Sequence, residues 1–367
     1  MRVAFYAPMK SPDHPVPSGD RLMARQLMAA LAAAGHRVDL ASDLRSYRPE
    51  PDAAAFAEVE KLAQAEVARL ERLWAADGPP DLWFTYHPYY KAPDLLGPDL
   101  AARHGIPYVT AETSWSARRN IGVWADMQAR VLQGIGQAVV NICLTLRDRD
   151  GILAAAPAAR TAMLPPFVEA GPFLAVPAGA GRDSARMLTV AMMRPGDKLA
   201  SYGLLAEALD RLPASLPWSL SVVGDGPVRA EVMARFAHFA PGRIVWHGQA
   251  TTERIAALMA DSALYVWPGY GEAYGLAYLE AQAAGLPVVA QRVAGVPEAV
   301  EDGITALLSP EGDAGGLAAN IVRLLTNAAE RAAMGAAARQ FILTGRTVDR
   351  AAARLGEILD GIGRAGA

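Results

Sequence analysis

Apolar positions along the chain alternate between short continuous runs and longer helix-period stretches. Runs at residues 3–7, 37–41, 82–86, 108–110 and 139–144 predict strands. The Ala- and Leu-rich stretches 21–34, 54–76 and 124–134 between them predict helices. A Pro-rich segment starting near Pro165 breaks this rhythm, which restarts at Met187 with further strands expected at 220–223, 244–247, 263–267 and 287–290. Strands that alternate with helices form parallel sheets covered on both faces, so the pattern predicts two doubly wound α/β domains. The boundary is placed within 165–183, dividing the chain into 1–170 and 171–345. Such sheets bind ligands at the carboxyl ends of their strands, so a cleft between two facing domains is the expected site.

Composition narrows the class. A length of 367 residues exceeds one ordinary core, and 52% apolar with 20% charged residues is a globular balance. The formal net charge of −3 argues against a nucleic-acid binder. The lone cysteine, Cys143, excludes an internal disulfide and fits a reducing compartment. The opening Met-Arg-Val-Ala-Phe-Tyr-Ala reads as a strand rather than a signal peptide, and no apolar run reaches the roughly 18 residues of a membrane span. The expectation is a cytoplasmic protein. Arg118–Arg119 and the Arg21/Arg25 helix face suit either an anionic acceptor and the inner membrane surface, or plain solvation.

The most informative stretch runs from Pro268 to Val289. Glu272 precedes a helical segment whose Leu276, Leu279 and Ala283 share an apolar face, and Glu280 sits on or beside that face. A carboxylate there is expected to be hydrogen-bonded. The free N–H groups of the first helical turn point toward the Glu272 end, and Gly275 allows close approach to that backbone. Two carboxylates around a row of N–H donors suit a ligand carrying both hydroxyls and phosphates, such as a nucleotide sugar.

Other motifs have a plain reading alongside a functional one. Arg194 and Lys198 follow the first strand of the second domain, where they are either phosphate ligands or surface cations of a solvated loop. Gly224-Asp-Gly226-Pro is either a nucleotide crevice or a tight turn before a helix. Gly19 lies in a Pro-rich loop, beside Ser18 and Asp20 as candidate helix caps. Gly295-Val-Pro-Glu298 is a donor-pocket edge or a turn. The histidines have no metal-ligand spacing, no Cys-x-x-Cys or phosphate loop occurs, and no serine sits in a nucleophile elbow, so no metal is expected.

Taken in order, these motifs resemble the retaining, GT-B-fold glycosyltransferases of family 4 (glycosyl transferases group 1) over essentially the whole chain. The Glu272-x7-Glu280 element is the most specific part, supported by Arg194…Lys198, the Val-Val-Gly-Asp-Gly-Pro strand end and Gly35-His-Arg-Val. The resemblance implies two Rossmann-like domains facing across a cleft, with a C-terminal helix (346–367) packing back on the first. It implies a metal-independent enzyme, without cofactor, that moves a sugar from a nucleotide diphosphate to a glycan, lipid or small-molecule acceptor. Arg194 and Lys198 would neutralise the diphosphate. Glu272 and the amides of Ala273, Tyr274, Gly275 and Leu276 would hold sugar hydroxyls and phosphate, and Glu280 the ribose. Gly19, Gly224 and Gly226 would give the donor room.

Three positions depart from the family pattern. Glu112 stands where the family often has a histidine, Gly19-Asp20 replaces a Gly-Gly-like turn, and Ala273-Tyr274 replaces a Gly-Phe-like pair. Glu112 is carried as a catalytic candidate, and it keeps open an inactive sugar-nucleotide-binding partner or sensor. A nucleotide-sugar epimerase is a further alternative.

Overall fold

The computed structural model describes residues 1–16, 18–175 and 183–365. The chain divides into two compact units: residues Met1–Pro165 with the segment from Val348 onward, and Pro166–Thr347.

Unit 1 contains β1 (Arg2–Tyr6), α1 (Gly19–Ala33), β2 (Arg37–Ser42), α2 (Ala53–Asp77), β3 (Leu82–Tyr86), α3 (Gly97–His104), β4 (Tyr108–Ala111), α4 (Val123–Gln137), β5 (Val140–Cys143), α5 (Leu146–Ala155) and β6 (Thr161–Met163). Its six strands are ordered β2-β1-β3-β4-β5-β6, every pairing parallel. The central strands β3, β4 and β5 are buried along their whole length, as sheets covered on both faces require. Caps on Ser18, Asp52 and Thr145 start α1, α2 and α5. Ser18 is thus the cap, and Gly19 the first helical residue with open space around it. The C-terminal helix, Val348–Ala365, packs on α1 through a stripe that includes Ala351, Ala352, Leu355 and Leu359.

Unit 2 contains α6 (Gly171–Leu174), β7 (Arg186–Val190), α7 (Asp197–Asp210), β8 (Ser219–Val223), α8 (Arg229–Arg235), β9 (Ile244–Gly248), α9 (Thr252–Ala260), β10 (Leu264–Val266), α10 (Leu276–Ala283), β11 (Val288–Gln291), α11 (Val296–Ala299), β12 (Ala306–Ser309), α12 (Ala314–Thr326) and α13 (Ala328–Gly345). Strand order is β12-β11-β10-β7-β8-β9, again all parallel. Two edge strands, β6 and β12, were not expected from the pattern. Arg346 and Thr347 differ from their placement with the C-terminal helix. The Val168 N–H donates to the Arg346 carbonyl at 2.8 Å, which holds them in unit 2.

These orders fix where ligands go. In unit 1 the winding direction reverses between β1 and β3, and in unit 2 between β7 and β10. Residues just past the ends of those four strands therefore form the two natural crevices. Among the described residues, no helix is long and apolar enough to cross a membrane.

Candidate active site

The unit 2 crevice is built from the loops after β7 and β10. Lys198 lies in the first turn of α7 and Glu272 six residues past β10, and their side chains form an ion pair. Trp267, 1% exposed, donates its indole N–H to Glu272 Oε1 at 2.9 Å. Lys198 Nζ also stands 5.5 Å from the centre of the Trp267 ring. One carboxylate therefore joins a cation and a buried donor.

The loop that carries Glu272 is tied down along its length. The Tyr270 N–H donates to the buried Ser201 hydroxyl of α7 at 3.1 Å. Gly271 has φ 64°, and a Cβ there would meet the Asp197 carboxylate at 2.0 Å. The Gly295 N–H donates to the Glu272 carbonyl at 3.1 Å. Tyr278 donates its hydroxyl to the Trp267 carbonyl at 3.1 Å, and its ring fills the space that any side chain on Gly275 would need. Gly275 caps α10 with φ 79° and no side-chain hydrogen bond, which leaves the first-turn N–H groups to other partners. Ala273 is exposed there, whereas Tyr274 and Leu276 are buried.

Glu280 lies along α10 and is half-buried. Burial pushes its carboxyl up to about 7. Contrary to expectation, it makes no side-chain hydrogen bond among the described residues. Arg194, just past β7, is exposed and likewise makes none among the described residues.

Gly224 and Gly226 have a structural reason to be glycine. Their φ values are 147° and 157°, and a Cβ on each would lie 1.9 Å from the Ala191 carbonyl oxygen and 2.2 Å from that of Met193. The Met193 N–H in turn donates to the Asp225 carbonyl at 2.9 Å, so this turn holds the chain that leads from β7 to Arg194.

Glu112, the remaining catalytic candidate, lies in unit 1 directly after β4, 4% exposed and with φ 55°. His87, which carries no motif in the sequence, directly follows β3 and is its neighbour, and burial pushes Glu112 up to about 7 against the pull of the His87 cation. Sequence reasoning also missed Trp267, Ser201 and Tyr278, whereas Gly295, read as a pocket edge or a turn, donates its N–H to the Glu272 carbonyl. Trp267 closes a predicted strand, the one local signal that could have drawn attention to it.

Comparison with known proteins gives this geometry a family. Residues 185–327 match the family model described as Glycosyl transferases group 1. A GDP-mannose-dependent alpha-(1-6)-phosphatidylinositol monomannoside mannosyltransferase of Mycolicibacterium smegmatis is 30% identical over 287 residues, covering 73% of this chain and 73% of that protein. An N-acetyl-alpha-D-glucosaminyl L-malate synthase of Bacillus anthracis is 30% identical over 139 residues, 38% of this chain and 36% of its own. The sucrose-phosphate synthase of Thermosynechococcus elongatus has the same fold, with a TM-score of 0.74 at 20% identity over 99% of each chain. Anabaena HepE, solved with UDP, superposes with a TM-score of 0.73 at 17% identity over 98% of this chain and 100% of that one. The chain belongs to the group 1 glycosyl transferases and has their GT-B fold.

Proposed function

We propose that the chain is a retaining, metal-independent glycosyltransferase that takes a sugar from a nucleotide diphosphate and delivers it to a hydroxyl of a glycan, lipid or small-molecule acceptor. The observation that carries this reading is the Lys198–Glu272 pair, braced by Trp267, at the switch point of unit 2. The cation and the carboxylate satisfy each other. A donor separates their tasks: Lys198 and Arg194 meet the diphosphate together with the open N–H groups of α10, and Glu272 turns to sugar hydroxyls. Glu280 accepts from ribose hydroxyls, which supply the side-chain hydrogen bond it lacks among the described residues.

Charge builds on the diphosphate as the bond from the sugar's C1 to the phosphate oxygen breaks. Fixed cations and N–H dipoles stabilise that charge without reorganising. The acceptor oxygen bonds to C1 on the same face and the departing phosphate oxygen takes its proton, which keeps the anomeric configuration. The first donors to try are GDP-mannose, named for the Mycolicibacterium relative, and UDP-glucose, with which Anabaena HepE has also been solved.

The test is a thermal-shift screen of UDP, GDP, ADP and their sugar conjugates, with and without EDTA, followed by NMR of the product's anomeric centre. Stabilisation by one nucleotide class, unchanged by EDTA, and a retained anomer are expected. An inverted product would overturn the mechanism, and no shift with millimolar ligand would overturn the donor assignment.

A further inference from the structure

The sheet of unit 1 ends on one side in a long open strand. β2 is the edge of its sheet and, at six residues, the longest strand of the unit, whereas the opposite edge, β6, has three. The Arg37 N–H donates to the Met1 carbonyl at 2.9 Å, and the register pairs Arg37 with Arg2 and Val38 with Val3. Backbone groups alternate along a strand, so those of Arg37 and Asp39 are taken up by β1. Those of Val38 and Leu40 point away from the sheet, where they are free to pair with another strand.

Beside this edge lies a groove of about 930 Å³ between β2 and α2. Arg37, Asp39 and Ala41 share the face of β2 that lines it. The helix buries Ala63, Leu70 and Trp74 against Ala4 and Trp83 of the sheet. It turns Leu62 and Leu73 to the groove instead, 48% and 47% exposed. Two of the groove's cations are already engaged. Arg69 bonds both oxygens of Glu66 and donates to the Ala41 carbonyl at 2.8 Å, and Arg2 donates to the carbonyls of Asp77, Gly78 and Pro79. Exposed leucines beside a free strand edge are the makings of a protein contact.

Charge selects the partner. Arg37 Nε is 3.1 Å from Asp39 Oδ2, and both side chains are exposed. When β2 runs antiparallel to a second β2 with Val38 facing Val38, their outward N–H and C=O groups exchange hydrogen bonds. Arg37 of each copy then lies opposite Asp39 of the other, in the closer kind of pair with Cα atoms about 4.5 Å apart. Centring the pairing on Asp39 would set like charges directly opposite. Within the strand, the Val38 register alone pairs both charged side chains. A twofold axis through Val38 also keeps the two α2 helices on one face, so the exposed leucines of both copies flank a single seam.

We propose that β2 is a homodimer edge, at which two copies of this chain join antiparallel about Val38 and merge their unit 1 sheets, sealed by reciprocal Arg37–Asp39 pairs and the leucines of α2. The dimer does not depend on the transferase reading.

Sedimentation velocity of the full chain, from about 1 to about 100 μM, tests it. The wild type is expected to sediment as two subunits. Asp39→Lys sets like charges opposite each other in both pairs and raises the dissociation constant about tenfold or more. The exchange Arg37→Asp with Asp39→Arg restores the pairs in this register and should restore the dimer. Val38→Pro removes the outward N–H without touching the β1 ladder and should give a monomer. Arg37 and Asp39 are exposed, so their variants keep the fold, which far-UV circular dichroism checks. As an independent readout, an oxidised mixture of Arg37→Cys and Asp39→Cys chains should form a covalent dimer faster than either chain alone, the paired Cα atoms being within disulfide reach. Cys143 is buried and does not compete. A wild type that stays monomeric throughout the range would overturn the proposal. So would a dimer that Asp39→Lys and Val38→Pro both leave intact, which would assign association to another face. An exchanged pair that stays monomeric, with no preferential cross-linking in the mixture, would overturn the register.

Discussion

Gly295→Ala adds one methyl group and no charge, yet it should disable the loop that carries Glu272. Gly295 has an unremarkable φ of −91°, so alanine meets no backbone strain of its own. The obstacle is space. A Cβ would lie 1.3 Å from the Ala273 carbonyl oxygen, 2.4 Å from its carbon and 3.1 Å from the Tyr274 nitrogen. Ordinary contact begins near 3.4 Å, so that carbonyl must retreat by about 2 Å in a tightly packed neighbourhood. Overpacking of this kind costs about 1–3 kcal/mol. In a unit of this size that lowers the melting temperature by roughly 2–12 °C. The residues displaced lie between Glu272 and the start of α10, and a misplacement of about 1 Å in a reacting site can cost on the order of 10²-fold. Nucleotide release from the preferred donor should therefore fall by about that factor. Gly136→Ala is the control: its site on α4 is open, so stability should hold or rise by about 0.5–1 kcal/mol. A Gly295→Ala protein that melts and turns over like the wild type would refute the packing argument.

Further outcomes follow from the same geometry. Lys198→Ala should lower turnover by about 10²–10³-fold while nucleotide affinity changes less, and in a double-mutant cycle with Glu272→Gln the two losses should not add; full additivity in the measured rates would deny that they act together. Glu280 binds its proton more tightly folded than unfolded, so its contribution weakens stability as pH rises from the ordinary carboxylate range through about 7. Glu280→Gln should therefore stabilise the unliganded protein in melts at pH 8 and not at pH 4, and Glu280→Ala should weaken nucleotide binding by calorimetry. Burial pushes the Cys143 thiol up to about 12, so a thiol reagent should label it only after denaturation, and rapid labelling of native protein would contradict its place in the core.

The sheets were legible because strands buried on both faces are continuous apolar runs bounded by helices. The two strands that escaped notice are edge strands. Thr161–Met163 is short and only half-buried, and Ala306–Ser309 follows directly on the Gly303 turn. Glu272 was legible because a carboxylate before a helix start has a local meaning. Its anchors were not: Trp267 bonds Glu272 and Ser201 holds Tyr270 two residues before it through contacts that no spacing encodes, and although Gly295 stood out as a pocket edge or turn, its bond to the Glu272 carbonyl did not. His87 shows the same limit: its partners Asp20 and Glu112 come from a different helix and a different strand. Glu280 illustrates the converse. Its position next to an apolar face implied a hydrogen-bonding partner, and among the described residues the protein supplies none.

The path of the backbone has a consequence for how the molecule is made. Unit 2 is one uninterrupted segment, whereas unit 1 is begun before it and finished after it by the helix from Val348. A ribosome therefore releases an incomplete unit 1 first, with the α1 surface that this helix covers still bare, and must translate all of unit 2 before the cover arrives. Premature termination near residue 347 would yield an intact unit 2 attached to an exposed apolar stripe. Quality control would thus detect such a product through its first-made half, although the loss is at the other end of the chain.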